Sequence, residues 1–98
     1  MALIKTAEEI ELMRQGGALL SRAMEQAVLS VAPGVRVSEI DEIAEKVIRD
    51  GGGEPSFKGY KSSPFDTPFP STVCVSINEE VVHGLGDRDR VLVRGDIV

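Results

Sequence analysis

The apolar periodicity of this 98-residue chain changes once, and that change sets the order of its elements. Before Gly51-Gly52-Gly53 the apolar residues recur every three or four positions, and from Val73 onward they alternate. The chain therefore reads as helices first and extended segments second, an α+β arrangement. Thr6-Ala7-Glu8-Glu9 has the form of a capping box, in which the Thr6 hydroxyl and the Glu9 carboxylate each take an otherwise unpaired amide. Ile10, Met13, Gly17, Leu20, Met24, Ala27, Val28 and Val31 then trace one face of a helix that Pro33-Gly34 ends. Gly16-Gly17 within it costs helix stability and marks either close packing against a neighbour or a weak point in the helix. A second helix opens at Ser38, with Asp41 in a weaker version of the same box. Ile40, Ile43, Ala44, Val47 and Ile48 form its apolar face, and the three glycines stop it.

Residues 54–72 read as loop, broken by Pro55, Pro64, Pro68 and Pro70. All four aromatics, Phe57, Tyr60, Phe65 and Phe69, lie in this stretch, either as ring anchors for the loop or as an apolar pocket wall. Val73–Ile77 alternates as a strand with Val73, Val75 and Ile77 inward, and Val81-Val82-His83 returns as its hairpin partner. A two-residue loop at Asn78-Glu79 puts Cys74 opposite His83, whereas a three-residue loop puts His83 on the Val75 side. Val91–Val93 reads as a short strand or edge. Arg94-Gly95-Asp96 is a turn, and Ile97-Val98 reads as the opening of another strand, so the chain is expected to stop within a domain.

Apolar runs are too short for a membrane span, and the N-terminus has neither a basic region nor an apolar stretch of signal-peptide type, so the cytoplasm is expected. Residues 1–50 hold nine acids and six bases, and residues 51–98 hold seven and five. With no basic stripe, direct nucleic-acid binding is not expected. One cysteine and one histidine exclude an internal disulfide and a Cys/His zinc site. His83 titrates nearest neutrality and stands out as a proton donor or hydrogen-bonding group. Cys74 is read as a small apolar residue in preference to a nucleophile. Glu79-Glu80 and the Asp87–Arg90 segment are read as solvated charges.

The run Ser71-Thr72-Val73-Cys74-Val75-Ser76-Ile77-Asn78-Glu79-Glu80-Val81-Val82-His83-Gly84 closely resembles the hairpin of type I methionine aminopeptidases. The segments Ile4–Arg14, Pro33-Gly34-Val35, Asp41–Ala44, Pro55–Tyr60 and Gly95–Val98 resemble the same family, in order, across almost the whole chain. The resemblance implies a pita-bread α+β fold, of which residues 1–98 would be a partial domain: the N-terminal half, two amphipathic helices followed by an antiparallel hairpin. It implies removal of the N-terminal methionine from nascent chains by metal-dependent hydrolysis in the full-length parent. The implied cofactors are two divalent metal ions of the Co/Mn/Fe/Zn class, with every ligand beyond Val98. Asp96 is not among those ligands, and this chain is expected to bind no such metal alone.

On the substrate side, the resemblance makes His83 the catalytic, peptide-binding imidazole. It places Phe57, Tyr60 and Cys74 on the methionine pocket, and carbonyls near Asn78 and Glu80 at a monovalent-cation site found in some members. The implied partners are nascent polypeptide N-termini close to the ribosome, with no membrane and a monomeric parent. The Pro-rich stretch 61–70 is longer than the usual family form, so Phe65 and Phe69 receive no assignment. An isolated half-domain is expected to be inactive and of weak stability. Two rivals share the fold: an aminopeptidase cutting before proline, and a pita-bread-like binding module without catalysis.

Overall fold

The computed structural model describes residues 2–98. Two helices, α1 (Ala7–Ser30) and α2 (Val37–Asp50), pack against each other. The rest of the chain runs over them as irregular loops joined by isolated bridges. Helix α1 starts where its capping box predicts. The Glu9 amide donates to the Thr6 hydroxyl at 3.1 Å, and the Thr6 amide donates to the Glu9 carboxylate at 3.4 Å.

Of the expected face of α1 only Ala27 is buried, and the rest of its buried side differs. Leu19, Ala23 and Ala27 are buried, while Ile10, Met13, Leu20, Met24 and Val28 face outward. Periodicity finds an apolar face, but a helix with apolar groups nearly all round has two candidates, and α2 takes the one with small residues. A Cβ added at Gly16 or Gly17 would meet no neighbouring element within 4 Å, so among the described residues the expected close packing is not seen.

Helix α2 begins one residue before Ser38, with Arg36 as its N-cap. The Glu39 carboxylate accepts the Arg36 amide at 2.9 Å. The next amides are met by loop carbonyls: Val37 donates to Arg90 at 2.9 Å and Ser38 to Arg88 at 3.0 Å. Ser38 is thus not needed as a cap, and Asp41 does not serve in a box with it. At the other end the Gly52 amide donates to Arg49 and the Gly53 amide to Ile48, with Gly52 at φ 83°. These are the paired bonds of a Schellman termination, which needs a left-handed residue there. Its neighbour Gly51 packs against Leu19, whose Cδ1 would have to move for a Cβ at 2.3 Å.

The core joins Ala27 of α1, Val37, Ile40 and Ala44 of α2, and Val75, Ile77 and Leu92 of the loops, with Val35 and Val73 partly buried against it. The inward set of the alternating segment is therefore as expected, but its regular hairpin is not. Among the described residues no strand forms, and the expected pairing reduces to one antiparallel bridge, Cys74 with Leu85. That register joins positions two residues further apart than a two-residue turn would. The ladder is interrupted because side chains take its backbone groups. Ser76 Oγ accepts the Gly84 amide at 3.1 Å, and Arg88 donates to the Val75 carbonyl at 2.7 Å. Val91 likewise makes only a bridge, to Arg36, and Ile97 opens no strand: it exchanges backbone and side-chain bonds with Asn78.

The accessible surface is 7184 Å², whereas a compact 10.5 kDa monomer exposes about 5,400 Å². The radius of gyration, 15.2 Å, likewise exceeds the roughly 13 Å of a compact domain this size. The excess comes with the uncovered apolar side of α1 and with Val81, Val82, Val93 and Ile97, all exposed.

Asp41 ties the loops to this helical base. Its Oδ1 accepts the Thr72 amide at 2.9 Å and the Val73 amide at 2.8 Å, 31 and 32 residues away. Removing it strands one buried donor and one part-buried donor. Asp41→Ala is expected to cost about 2–4 kcal/mol, read as a lowered or lost cooperative transition in urea unfolding of the 98-residue chain.

Candidate functional site

Phe57, Tyr60, Phe69, Cys74 and His83 line one open hollow of about 470 Å³ with a mainly apolar wall. Its volume lies within the range of roughly 300–1,000 Å³ usual for small-ligand sites. Each wall residue is positioned by a different local device. Tyr60 and Phe69 face the hollow from a backbone neck, where the Phe69 amide donates to the Tyr60 carbonyl and the Gly59 amide to the Phe69 carbonyl, both at 2.8 Å. Nearby, Lys58 Nζ is tied to Glu45 of α2 at 2.7 Å. Cys74 follows directly on Val73, one of the two residues anchored by Asp41.

Burial lifts the Asp41 carboxyl above the ordinary aspartate range, an effect that its two backbone amides and Lys58 partly offset. Behind it, Ser71 Oγ donates to the Val73 carbonyl at 2.9 Å and accepts the Gly86 amide at 3.0 Å. Gly86 sits so close that a Cβ would lie 2.6 Å from the Val73 carbonyl oxygen.

His83 is held in a left-handed backbone conformation, φ 60°, at the rim. Adjacent Gly84 has no room for a side chain, since a Cβ there would meet the Val75 carbonyl at 2.0 Å. The structure thus brings together all four residues singled out in the sequence, His83, Phe57, Tyr60 and Cys74. Cys74 is paired with Leu85 and not with His83, yet thiol and imidazole share the hollow. It also adds Phe69, which the sequence leaves unassigned. Its place between Pro68 and Pro70 marks a stiff stem and is the available signal. Phe65 stands apart at 97% exposure. On the other side of Cys74 and His83 a shallower depression is lined by Ser76, Asn78, Glu80, Val81, Val82, Ile97 and Val98.

Two of the charges expected to be solvated, Glu80 and Arg88, instead organise this rim. Arg88 grips both oxygens of Glu80, at 2.7 and 3.0 Å, and donates to the carbonyls of Val75 and Leu85 at 2.7 and 2.8 Å. Glu80 also accepts the Ile77 amide at 2.8 Å. The Arg88 guanidinium and that amide hold the Glu80 carboxyl at about 2. Asp96 is similarly committed. Its Oδ1 accepts Asn78 and its Oδ2 the Val93 amide, each at 2.9 Å, and its carboxyl is lowered, mainly by that amide. Among the described residues no group of three or more His, Cys, Asp or Glu side chains could hold a metal ion. The donors present here do not fit a divalent-metal pair.

Comparison with known proteins decides the lineage of this arrangement. A family model for metallopeptidase family M24 matches residues 11–98. The chain belongs to metallopeptidase family M24. The methionine aminopeptidase of Clostridium acetobutylicum is 41% identical over 98 residues, all of this chain and 37% of the relative. Methionine aminopeptidase 1 of Bacillus subtilis is 40% identical over the same span, again 37% of its length. The crystal structure of methionine aminopeptidase from Thermotoga maritima superposes with a TM-score of 0.85 at 32% identity, over 98% of this chain and 36% of that one. The fold of this M24 chain is thus that of part of a pita-bread methionine aminopeptidase, and it spans little more than a third of the length of these relatives. No helix described is long and apolar enough to cross a membrane.

Two measurements check this rim. A carboxyl held at about 2 when folded against about 4.3 when unfolded adds stability that is complete above the unfolded value and lost as pH falls through the folded one. Asp41, lifted by burial, works in the opposite sense. Wild type is therefore expected to lose more thermal stability between about pH 4.5 and 2 than Glu80→Gln. His83→Asn is expected to leave the melting temperature nearly unchanged, because Asn tolerates φ > 0. His83→Val is expected to cost about 1–2 kcal/mol by urea unfolding.

Proposed function

We propose that the hollow receives the side chain of an N-terminal methionine, and that the protein to which these residues belong removes that methionine from nascent polypeptides. The observation that carries the reading is the convergence of three aromatic rings and a thiol on one apolar hollow with an imidazole at its rim. A thioether gains contact energy against aromatic edges and bends to fit an irregular wall. An imidazole at the rim can donate a hydrogen bond to the peptide group next to the bound side chain. The 41% and 40% identities to methionine aminopeptidases support the same reading.

In this reading His83 contacts the scissile peptide and its transition state, while Phe57, Tyr60, Cys74 and Phe69 select the side chain. The divalent ions of an M24 metallopeptidase are held by residues outside 1–98, so no step of the hydrolysis is routed through a metal on this chain. The substrates are polypeptide N-termini emerging near the ribosome, and the reaction takes place in the cytoplasm, in a monomeric whole protein without a membrane or nucleic-acid partner. The carbonyls near Asn78 and Glu80 have a weaker claim as a monovalent-cation site, since that assignment rests on the family resemblance alone.

Tyr60 is the sole tyrosine and there is no tryptophan, so its emission reports on the hollow directly. Methionine amide is expected to change that emission saturably and glycine amide to leave it unmoved. Phe57→Ala should weaken the binding about tenfold, or ~1.4 kcal/mol. Identical responses to the two amides would sink the pocket assignment. The 98-residue chain supplied with Co²⁺ or Mn²⁺ is expected to release no measurable methionine from Met-Ala-Ser. Release by the purified chain would overturn the placement of the metal ligands elsewhere.

A further inference from the structure

Helix α1 carries a second apolar stripe beside its buried side. Ile10, Met13, Gly17, Leu20 and Met24 recur at spacings of three, four, three and four, and Val28 follows four further on. Ile10, Met13, Leu20, Met24 and Val28 are each more than half exposed. Alternating threes and fours make a period of 3.5, the narrow seam by which one helix packs along another and not the broader stripe of a helix laid on a mixed core. From Ile10 to Val28 the seam runs about 27 Å. Its middle is a notch. A Cβ added at Gly17 would meet no neighbouring element within 4 Å, so a bulky side chain arriving from outside has room against the helix backbone.

We infer that the 98-residue chain pairs with a second copy of itself through this stripe, the two α1 helices lying antiparallel. Area, shape and charge each point to that occupant. The accessible surface exceeds that of a compact monomer by about 1,800 Å², more than the roughly 800 Å² that one partner gives to a standard interface. The stripe is also complementary to itself. A two-fold axis between Ala18 and Leu19 brings Leu20 of each copy into the Gly17 notch of the other, Met13 to Met24 and Ile10 to Val28. Arg14 and Glu25 lie along the same edge of the stripe, so the same axis sets Arg14 of each copy beside Glu25 of the other. In the single chain Arg14 is paired with Glu11 in an exposed contact, and Glu25 makes no ion pair among the described residues. No residue of α1 lines the hollow, so pairing of the chains and binding in the hollow stand or fall separately.

Sedimentation equilibrium of the full 98-residue chain across the micromolar range is expected to show a monomer–dimer equilibrium. Leu20→Glu sets a charge into the seam and should weaken the dimer about a hundredfold or more. Its far-UV circular dichroism should keep the helix signal, because Leu20 is exposed and outside the core. Arg14→Glu turns two attractions into two repulsions and should weaken the dimer about fivefold. Arg14→Glu combined with Glu25→Arg should restore it. In a parallel pair Arg14 would meet Glu9 in place of Glu25, and the second substitution would restore nothing. A chain that remains a monomer, assemblies that grow beyond two, a dimer that Leu20→Glu leaves intact, or a double variant as weak as Arg14→Glu would each overturn the inference. The first of these would leave the stripe to the part of a whole M24 protein outside residues 1–98.

Discussion

One buried carboxylate decides where the rest of the chain goes. Asp41 sits on α2 with its side chain turned inward, where a charge is costly unless its lone pairs are filled. The Thr72 and Val73 amides both donate to its Oδ1, and they arrive from more than thirty residues away. Bonds from amides to a charged acceptor are among the stronger ones a chain can make. The two together fix the entry of the Cys74 segment against the helix. Ser71 and Gly86 then close around the same point, Gly86 because nothing larger fits beside the Val73 carbonyl. The hollow inherits its orientation from α2 through this contact, and not from a sheet.

The absence of a ladder among the described residues has the same origin in side-chain chemistry. Arg88 directs its fork of donors to Glu80 and to two backbone carbonyls. Ser76 takes the amide that a regular hairpin would give to a neighbouring strand. Released from ladder geometry, the backbone can turn left-handed at Asn78 and again at His83. The second turn costs energy at a non-glycine residue, and the strain falls where it sets the imidazole at the rim. A regular antiparallel pair would have held His83 in an extended conformation.

These causes explain what the sequence discloses and what it hides. The Thr6 box, the glycine stop after α2 and the inward set of Val75 and Ile77 all depend on neighbours within a few residues, and all are legible. The site residues His83, Phe57, Tyr60 and Cys74 are legible partly through chemistry, a lone imidazole and a cluster of rings, and partly through a family resemblance. The buried side of α1 is not legible, because periodicity cannot rank a face with Leu19, Ala23 and Ala27 against a bulkier one when the partner is unknown. Asp41 misleads for a similar reason: an acid three residues into a helix looks like a cap, and the amides that claim it lie far along the chain. The hairpin register is hidden by Arg88 and Ser76, whose interference with the ladder leaves no local mark.

The carboxylates near the hollow bear on what this chain can contribute chemically. Asp41 is taken by two amides, Glu80 by a guanidinium and an amide, and Asp96 by an amide and Asn78. Each is structural, and a cation competing for any of them would have to break the bond that shapes the rim. A dicationic centre therefore gains nothing from these acids, while an apolar side chain meets a wall already formed and a single imidazole free of carboxylate partners in the hydrogen bonds described. The division of labour follows from where the donors go: residues 1–98 commit these negative charges to holding loops in place, and what remains at the hollow is surface suited to recognition.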